Sequence, residues 1–194
     1  MIPMGEKYIL KLNNISKSFD KKSVITDFSY SFPANGIVAI MGASGCGKTT
    51  LLRIITDLEK PNNGTIEKAP NTRISYVFQE DRLFPTISAL KNVECCCDDT
   101  EKAKELLVKV NLGEFIDYLP AELSGGMKQR VAFARALSMD ADIILLDEAF
   151  KSQDEHTREL LYEIIREEAK KHLIIMVTHD IDEAGNLNAR IINL

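Results

Sequence analysis

Two groups of residues in this chain have the types and spacing to do chemistry. Gly42, Ala43, Ser44, Gly45, Cys46, Gly47, Lys48 and Thr49, followed by Thr50, match the pattern GxxxxGK[ST]. Glycines let successive backbone N–H groups turn inward around a phosphate, and a helix beginning at the lysine adds its positive dipole end. Lys48 reaches the outer phosphates and the Thr49 hydroxyl can ligate Mg²⁺. The second group is Asp147-Glu148, which ends the apolar run Ile143-Ile-Leu-Leu146. At the carboxyl end of a buried strand, where ligands of open α/β sheets bind, two carboxylates demand a partner. Asp147 can hold Mg²⁺ through water, and Glu148 can act as base or positioner for water attacking a γ-phosphate. Taken alone, such a pair is more often a helix cap. A phosphate loop 99 residues earlier (147 − 48) turns it into a nucleotidase site.

These groups need a frame, and the hydrophobic patterning supplies one. Ile37-Val-Ala-Ile-Met41, Ile143–Leu146 and Leu173-Ile-Ile-Met-Val177 are continuous apolar runs of the kind that form strands buried on both faces of a parallel sheet. Helices are predicted from Lys48 to about Asp57, from about Asp154 to Lys171 with the pairs Leu160/Ile164 and Leu161/Ile165, and near Asp180 to Leu187. Tyr8–Leu12 and Val24–Phe32 read as antiparallel strands. Thr65–Lys68 and Ile74–Phe78 read as further strands, with a turn over Pro61-Asn-Asn-Gly64. Between about Glu80 and Asp140 the strand signal vanishes. Ala103, Leu106, Leu107 and Val110 have helical spacing there, and Gly125 to Met139 reads as a long helix.

The whole is an α/β chain of 194 residues, 45% hydrophobic and 27% charged, which excludes disorder and fibrous folds. A net charge of −5 gives no general pull toward nucleic acid or anionic lipid. Its apolar runs fall well short of the roughly 20 residues that cross a bilayer. Met1–Lys7 lacks a charged leader and apolar run, so a cytoplasmic chain is expected. Cys46 and the consecutive Cys95, Cys96 and Cys97 show no disulfide framework or CxxC spacing. Because neighbouring side chains diverge, the triplet is read as small, partly buried residues. His156 and His172 are read as solvated.

Leu123-Ser-Gly-Gly-Met-Lys-Gln129, 23 residues before Asp147 (147 − 124), resembles the signature sequence of the ATP-binding-cassette (ABC) ATPases. Ser124, Gly125 and Gly126 open a helix whose free N–H groups and dipole suit a second phosphate site, and Ser124 is also a good N-cap. Other elements of the family follow in order. Phe19 resembles the aromatic that stacks on adenine, Gln79 the Q-loop glutamine that can touch Mg²⁺ or water, Asp154 the D-loop aspartate and His179 the switch histidine. The resemblance covers about residues 8–194 and is greatest to ATPase subunits of importers for nitrate, sulfonate, taurine and similar solutes. Ala149 stands where that family has proline, Gln153 where it has leucine, and the helical insert is short.

The resemblance implies a P-loop NTPase core with a mostly parallel sheet, an antiparallel β subdomain and an inserted α-helical subdomain. The core would span about 1–79 and 141–194, and the insert about 80–140. It implies ATP and Mg²⁺ bound by the loop, Gln79 and Asp147 of one chain and by Ser124–Gly126 of a second copy. Glu148, His179, Gln79 and Lys48 would carry hydrolysis. The resemblance places the chain peripherally on the cytoplasmic face of the membrane, with a membrane-spanning permease and a solute-binding protein as partners and no nucleic acid. Arg82-Leu-Phe-Pro-Thr-Ile87 resembles the wall that receives the permease, although Leu83 and Phe84 could instead pack into the insert. Gln153→Leu is expected to tighten a nucleotide-bound dimer. The rival readings are a soluble ATPase of the same type and a non-hydrolysing nucleotide switch.

Overall fold

The computed structural model describes residues 8–20 and 22–194. Met1–Lys7, read above for the lack of a leader, lies outside the described residues. The chain opens with two long strands, β1 (Tyr8–Phe19) and β2 (Lys22–Pro33), paired antiparallel. β4 (Asn63–Lys68) joins the free edge of β1, giving a three-stranded sheet. β4 begins at Asn63, so the expected turn over Pro61–Gly64 is shorter. Gly64 has φ 95°, and a Cβ there would stand 2.5 Å from the Asn13 carbonyl oxygen of β1, so glycine permits the strand to start early.

The second sheet is parallel, with β5 (Ile74–Val77), β6 (Ile143–Asp147), β7 (Leu173–Val177), β3 (Gly36–Met41) and β8 (Arg190–Asn193) side by side in that order. Every residue of β6 and β7 is buried, as continuous apolar runs covered on both faces should be. One face carries α1 (Lys48–Ile55) and the antiparallel sheet, packed over Ile40, Leu145 and Ile175. The other carries the remaining core around Phe133, Phe150, Leu161 and Ile174. α2 (Ala89–Glu94), α3 (Thr100–Lys109) and α4 (Gly125–Ser138) lie between β5 and β6 in the chain, and α5 (Glu155–Glu168) and α6 (Ile181–Asn186) flank β7.

β8 was not read from the sequence. Its four residues include an arginine and an asparagine, and an edge strand with solvent on one side has no need of an apolar run. α5 ends three residues before the expected Lys171. Of the cysteine triplet, Cys97 is partly buried as expected, but the other two differ. Cys95 and Cys96 are exposed rather than partly buried, and their sulfurs converge to 3.9 Å instead of diverging, because the chain keeps a helical turn beyond α2. Loss of part of its hydration and the neighbouring Cys95 push the Cys96 thiol up to about 11, well away from a reactive thiolate. Among the described residues no three His, Cys, Asp or Glu side chains gather as a metal centre. His156 is exposed, whereas His172 is half-buried, 3.9 Å from the Glu168 carboxylate.

Candidate active site

β3 delivers the chain at Met41 into the loop 42–47, and α1 starts at Lys48. Gly47, which precedes the helix, has φ 108°, and a Cβ there would meet Val24 Cγ1 at 2.7 Å. The loop can press against β2 only if this residue is glycine. Cys46 N–H donates to the Ala43 carbonyl at 3.2 Å, closing the loop on itself. The buried Lys48 ammonium crosses the loop and donates to the carbonyls of Gly42 (2.8 Å) and Ala43 (3.0 Å). The Thr49 hydroxyl points the other way, donating to Asp147 Oδ1 at 3.1 Å.

Asp147 is the last residue of β6 and only 1% exposed. Burial pushes its carboxyl above the usual range and the charge of Glu148 adds to this, while hydrogen bonds from Thr49 and Tyr76 oppose the shift. Glu148 follows in the left-handed region at φ 49°, its N–H donating to the Val177 carbonyl of β7 at 3.1 Å. Three side chains converge on its carboxylate. Gln79 Nε2 and Lys151 Nζ each donate to Oε2 at 3.3 Å, and His179 Nδ1 lies 3.5 Å from Oε1.

These groups open onto one cleft of about 800 Å³, lined by Phe19, Ser44, Gly45, Gly47, Lys48, Thr49, Thr50, Gln79, Glu148, Lys151 and His179. Phe19 stands at the end of β1, 45% exposed, and Lys17 Nζ lies 4.9 Å from its ring centroid. The structure thus brings together residues from β1, the loop after β3, the ends of β5 and β6, and the turn after β7. Ser124, Gly125 and Gly126 do not join them. Ser124 caps α4, its hydroxyl accepting from Met127 N–H at 3.2 Å. Asp154 likewise caps α5, accepting from Thr157 N–H at 2.9 Å, and that bond holds its carboxyl below the usual range.

Gln153 makes a specific polar contact within its own chain. Its Nε2 donates to the Gly126 carbonyl at 3.0 Å, tying the turn before α5 to the first turn of α4. A Cβ on Gly126 would stand 2.9 Å from the Ser152 carbonyl oxygen, so the two segments meet at close range. Tyr76 and Lys151 are site residues that the sequence reading missed. Lys151 carried a faint signal, three residues after Glu148 in a turn. Tyr76 carried only a polar tip on the short strand Ile74-Ser-Tyr-Val77.

Residues 25–151 match the family model described as ABC transporter. This chain belongs to the ABC transporter family. The ABC chain is 40% identical over 181 residues to an aliphatic sulfonates import ATP-binding protein of Pseudomonas syringae pv. tomato, covering 91% of itself and 78% of that protein. It is 39% identical over 199 residues to the protein of the same description from Zymomonas mobilis, covering 97% of itself and 83% of that protein. A sulfate/thiosulfate import ATP-binding protein of Yersinia pseudotuberculosis is 36% identical over 206 residues, covering 94% of this ABC chain and 57% of that protein. Among solved structures, an ATP-binding cassette described as a dimer in a post-hydrolysis state bound to ADP and Pi superposes with a TM-score of 0.84 at 31% identity. That match covers 95% of this chain and 94% of the other. The fold is the ABC ATPase fold.

Proposed function

We propose that the chain is the ATP-binding and ATP-hydrolysing subunit of an importer, and that its cleft takes ATP with Mg²⁺. The observation that carries this reading is the meeting of two half-sites: Thr49 of the phosphate loop bonded to Asp147, with Gln79, Lys151 and His179 gathered on Glu148 beside them. The oxygens of the Thr49 hydroxyl, the Asp147 carboxylate and the Gln79 amide form a hard donor set of the kind Mg²⁺ prefers. When bound, the ion neutralises charge on the phosphates. Phe19 supplies a partly exposed ring for the adenine. Loop N–H groups and Lys48 bind the phosphates, with Lys48 exchanging its two loop carbonyls for phosphate oxygens. Glu148 holds the attacking water and accepts its proton, while His179 and Gln79 keep the carboxylate pointed at it.

Ser124–Gly126 lie outside the cleft of their own chain, which supports a site completed by a second copy. The dimeric state of the solved cassette is consistent with that. The names of the relatives support small sulfur oxyanions, such as organic sulfonates, as the solute. The segment 82–87 supports docking of a separate membrane-spanning subunit: Leu83 packs inward, but Phe84, five residues after the cleft residue Gln79, is 54% exposed. No helix among the described residues is long and apolar enough to cross a membrane. Glu148→Gln tests the reading. It should bind ATP normally, slow phosphate release by at least the roughly 10²–10⁴-fold ascribed to a general base, and accumulate as an ATP-bound dimer on sizing chromatography. Phosphate release at the normal rate would refute it.

A further inference from the structure

The carboxylate assigned to the metal has a neighbour that the loop and acidic motifs do not include. Tyr76 lies on β5, paired with Leu145 of β6, and its hydroxyl donates to Asp147 Oδ2 at 3.0 Å. The Thr49 hydroxyl donates to Oδ1 of the same group at 3.1 Å. Each carboxylate oxygen therefore takes one hydrogen bond, from two different elements, and at 1% exposure solvent cannot replace either. The tyrosine ring is itself held. It stacks on Phe78 with centroids 3.9 Å apart and planes at 23°, and the Arg82 guanidinium lies 4.1 Å from the centroid of Phe78.

A buried carboxylate bonded only through Oδ1 could still rotate about its terminal torsion, which is broad and poorly fixed. A second donor on Oδ2 removes that freedom. We propose that Tyr76 is a positioning residue for the Mg²⁺ site, presetting the rotation of Asp147 so that the carboxylate receives the ion without reorienting. This rests on the reading of Asp147 as the residue that faces Mg²⁺. Partners of metal ligands commonly set metal affinity in this way, with losses of about 10–100-fold when they are removed.

Tyr76→Phe keeps the stacked ring and deletes only the hydroxyl. The test measures binding of a fluorescent ATP analogue in EDTA and across a Mg²⁺ series, for the wild type, Tyr76→Phe and Asp147→Asn. Affinity in EDTA should be the same for wild type and Tyr76→Phe, whereas the Mg²⁺ midpoint of Tyr76→Phe should rise about tenfold. An unchanged or lower midpoint overturns the proposal, as does weaker binding in EDTA, which would mark a merely structural role. Asp147→Asn should lose the response to Mg²⁺. If it keeps a wild-type response, the reading of Asp147 fails and the proposal falls with it. Should Tyr76→Phe not fold, Phe78→Leu takes its place: it retains the hydroxyl but frees the ring, and must raise the midpoint for the proposal to stand.

Discussion

Glu148 occupies a backbone conformation that costs a side-chain-bearing residue about 1–2 kcal/mol. Its position is maintained by the N–H bond to Val177 and by three polar neighbours on the carboxylate. Strain at such a residue is what a site must accept to aim a group across a cleft rather than along a strand. Gln153 shows how much one side chain can alter a family expectation. Judged by residue type alone, replacing it with leucine should favour a nucleotide-bound dimer. Its bond to the Gly126 carbonyl reverses that, because leucine would release the first turn of α4 from the turn before α5. With a hydrogen bond worth about 1 kcal/mol, Gln153→Leu should weaken the ATP-bound dimer roughly fivefold, read by sedimentation in a Glu148→Gln background. An equal or tighter dimer would show that the bond is incidental. The residues of the phosphate loop and the acidic pair were legible because each is chemically unusual for its place. Tyr76, Lys151 and the contact of Gln153 were not, since nothing local distinguishes a tyrosine whose tip reaches a carboxylate on the next strand.

Between β5 and α2 the chain runs from Gln79 to Ser88 without regular structure, and it is held by side chains of the helices behind it. Asn92, fully buried on α2, accepts from Phe84 N–H at 2.8 Å and donates to the carbonyls of Phe84, Ile87 and Ser88 at 3.0–3.1 Å. Arg135 of α4 donates to the carbonyls of Asp81 and Arg82. The exposed Phe84 is therefore presented by a backbone tied to α2 and α4. Asn92→Ala would strand several backbone groups, and at about 1–3 kcal/mol for an unsatisfied buried group it should lower stability by about 2–4 kcal/mol. A urea titration checks this, and a loss under 1 kcal/mol would show that water replaces the side chain. The buried strands were readable because burial on both faces leaves only apolar residues to choose from. The anchoring of 80–88 was not, because an asparagine that satisfies a distant loop looks in sequence like any polar helix residue. β8 was missed for a related reason: its place comes from pairing with β3, not from its own composition.

In the order β5-β6-β7-β3-β8 the strand that carries the phosphate loop and the strand that carries Asp147 are not neighbours, and β7 lies between them. Ile40, Val177 and Asp147 are level in the ladders, so three strand ends form one row under the cleft. Thr49 and Asp147 meet across the end of β7, and His179 emerges from that same end. Binding determinants drawn from β3, β6 and β7 cannot persist unless all three strands are paired. The cleft accordingly has no stability of its own to lose: in denaturant, release of a bound fluorescent nucleotide and loss of far-ultraviolet ellipticity from the sheet should share one midpoint, and added ATP should move both together by mass action. Nucleotide release well before the sheet melts would mean that the loop unfolds as a separate unit. With a shared midpoint, a destabilising substitution outside the cleft lining, at the buried Leu12 or Phe32 of the antiparallel sheet, would lower the fraction of active molecules without altering the affinity or turnover of those that remain folded.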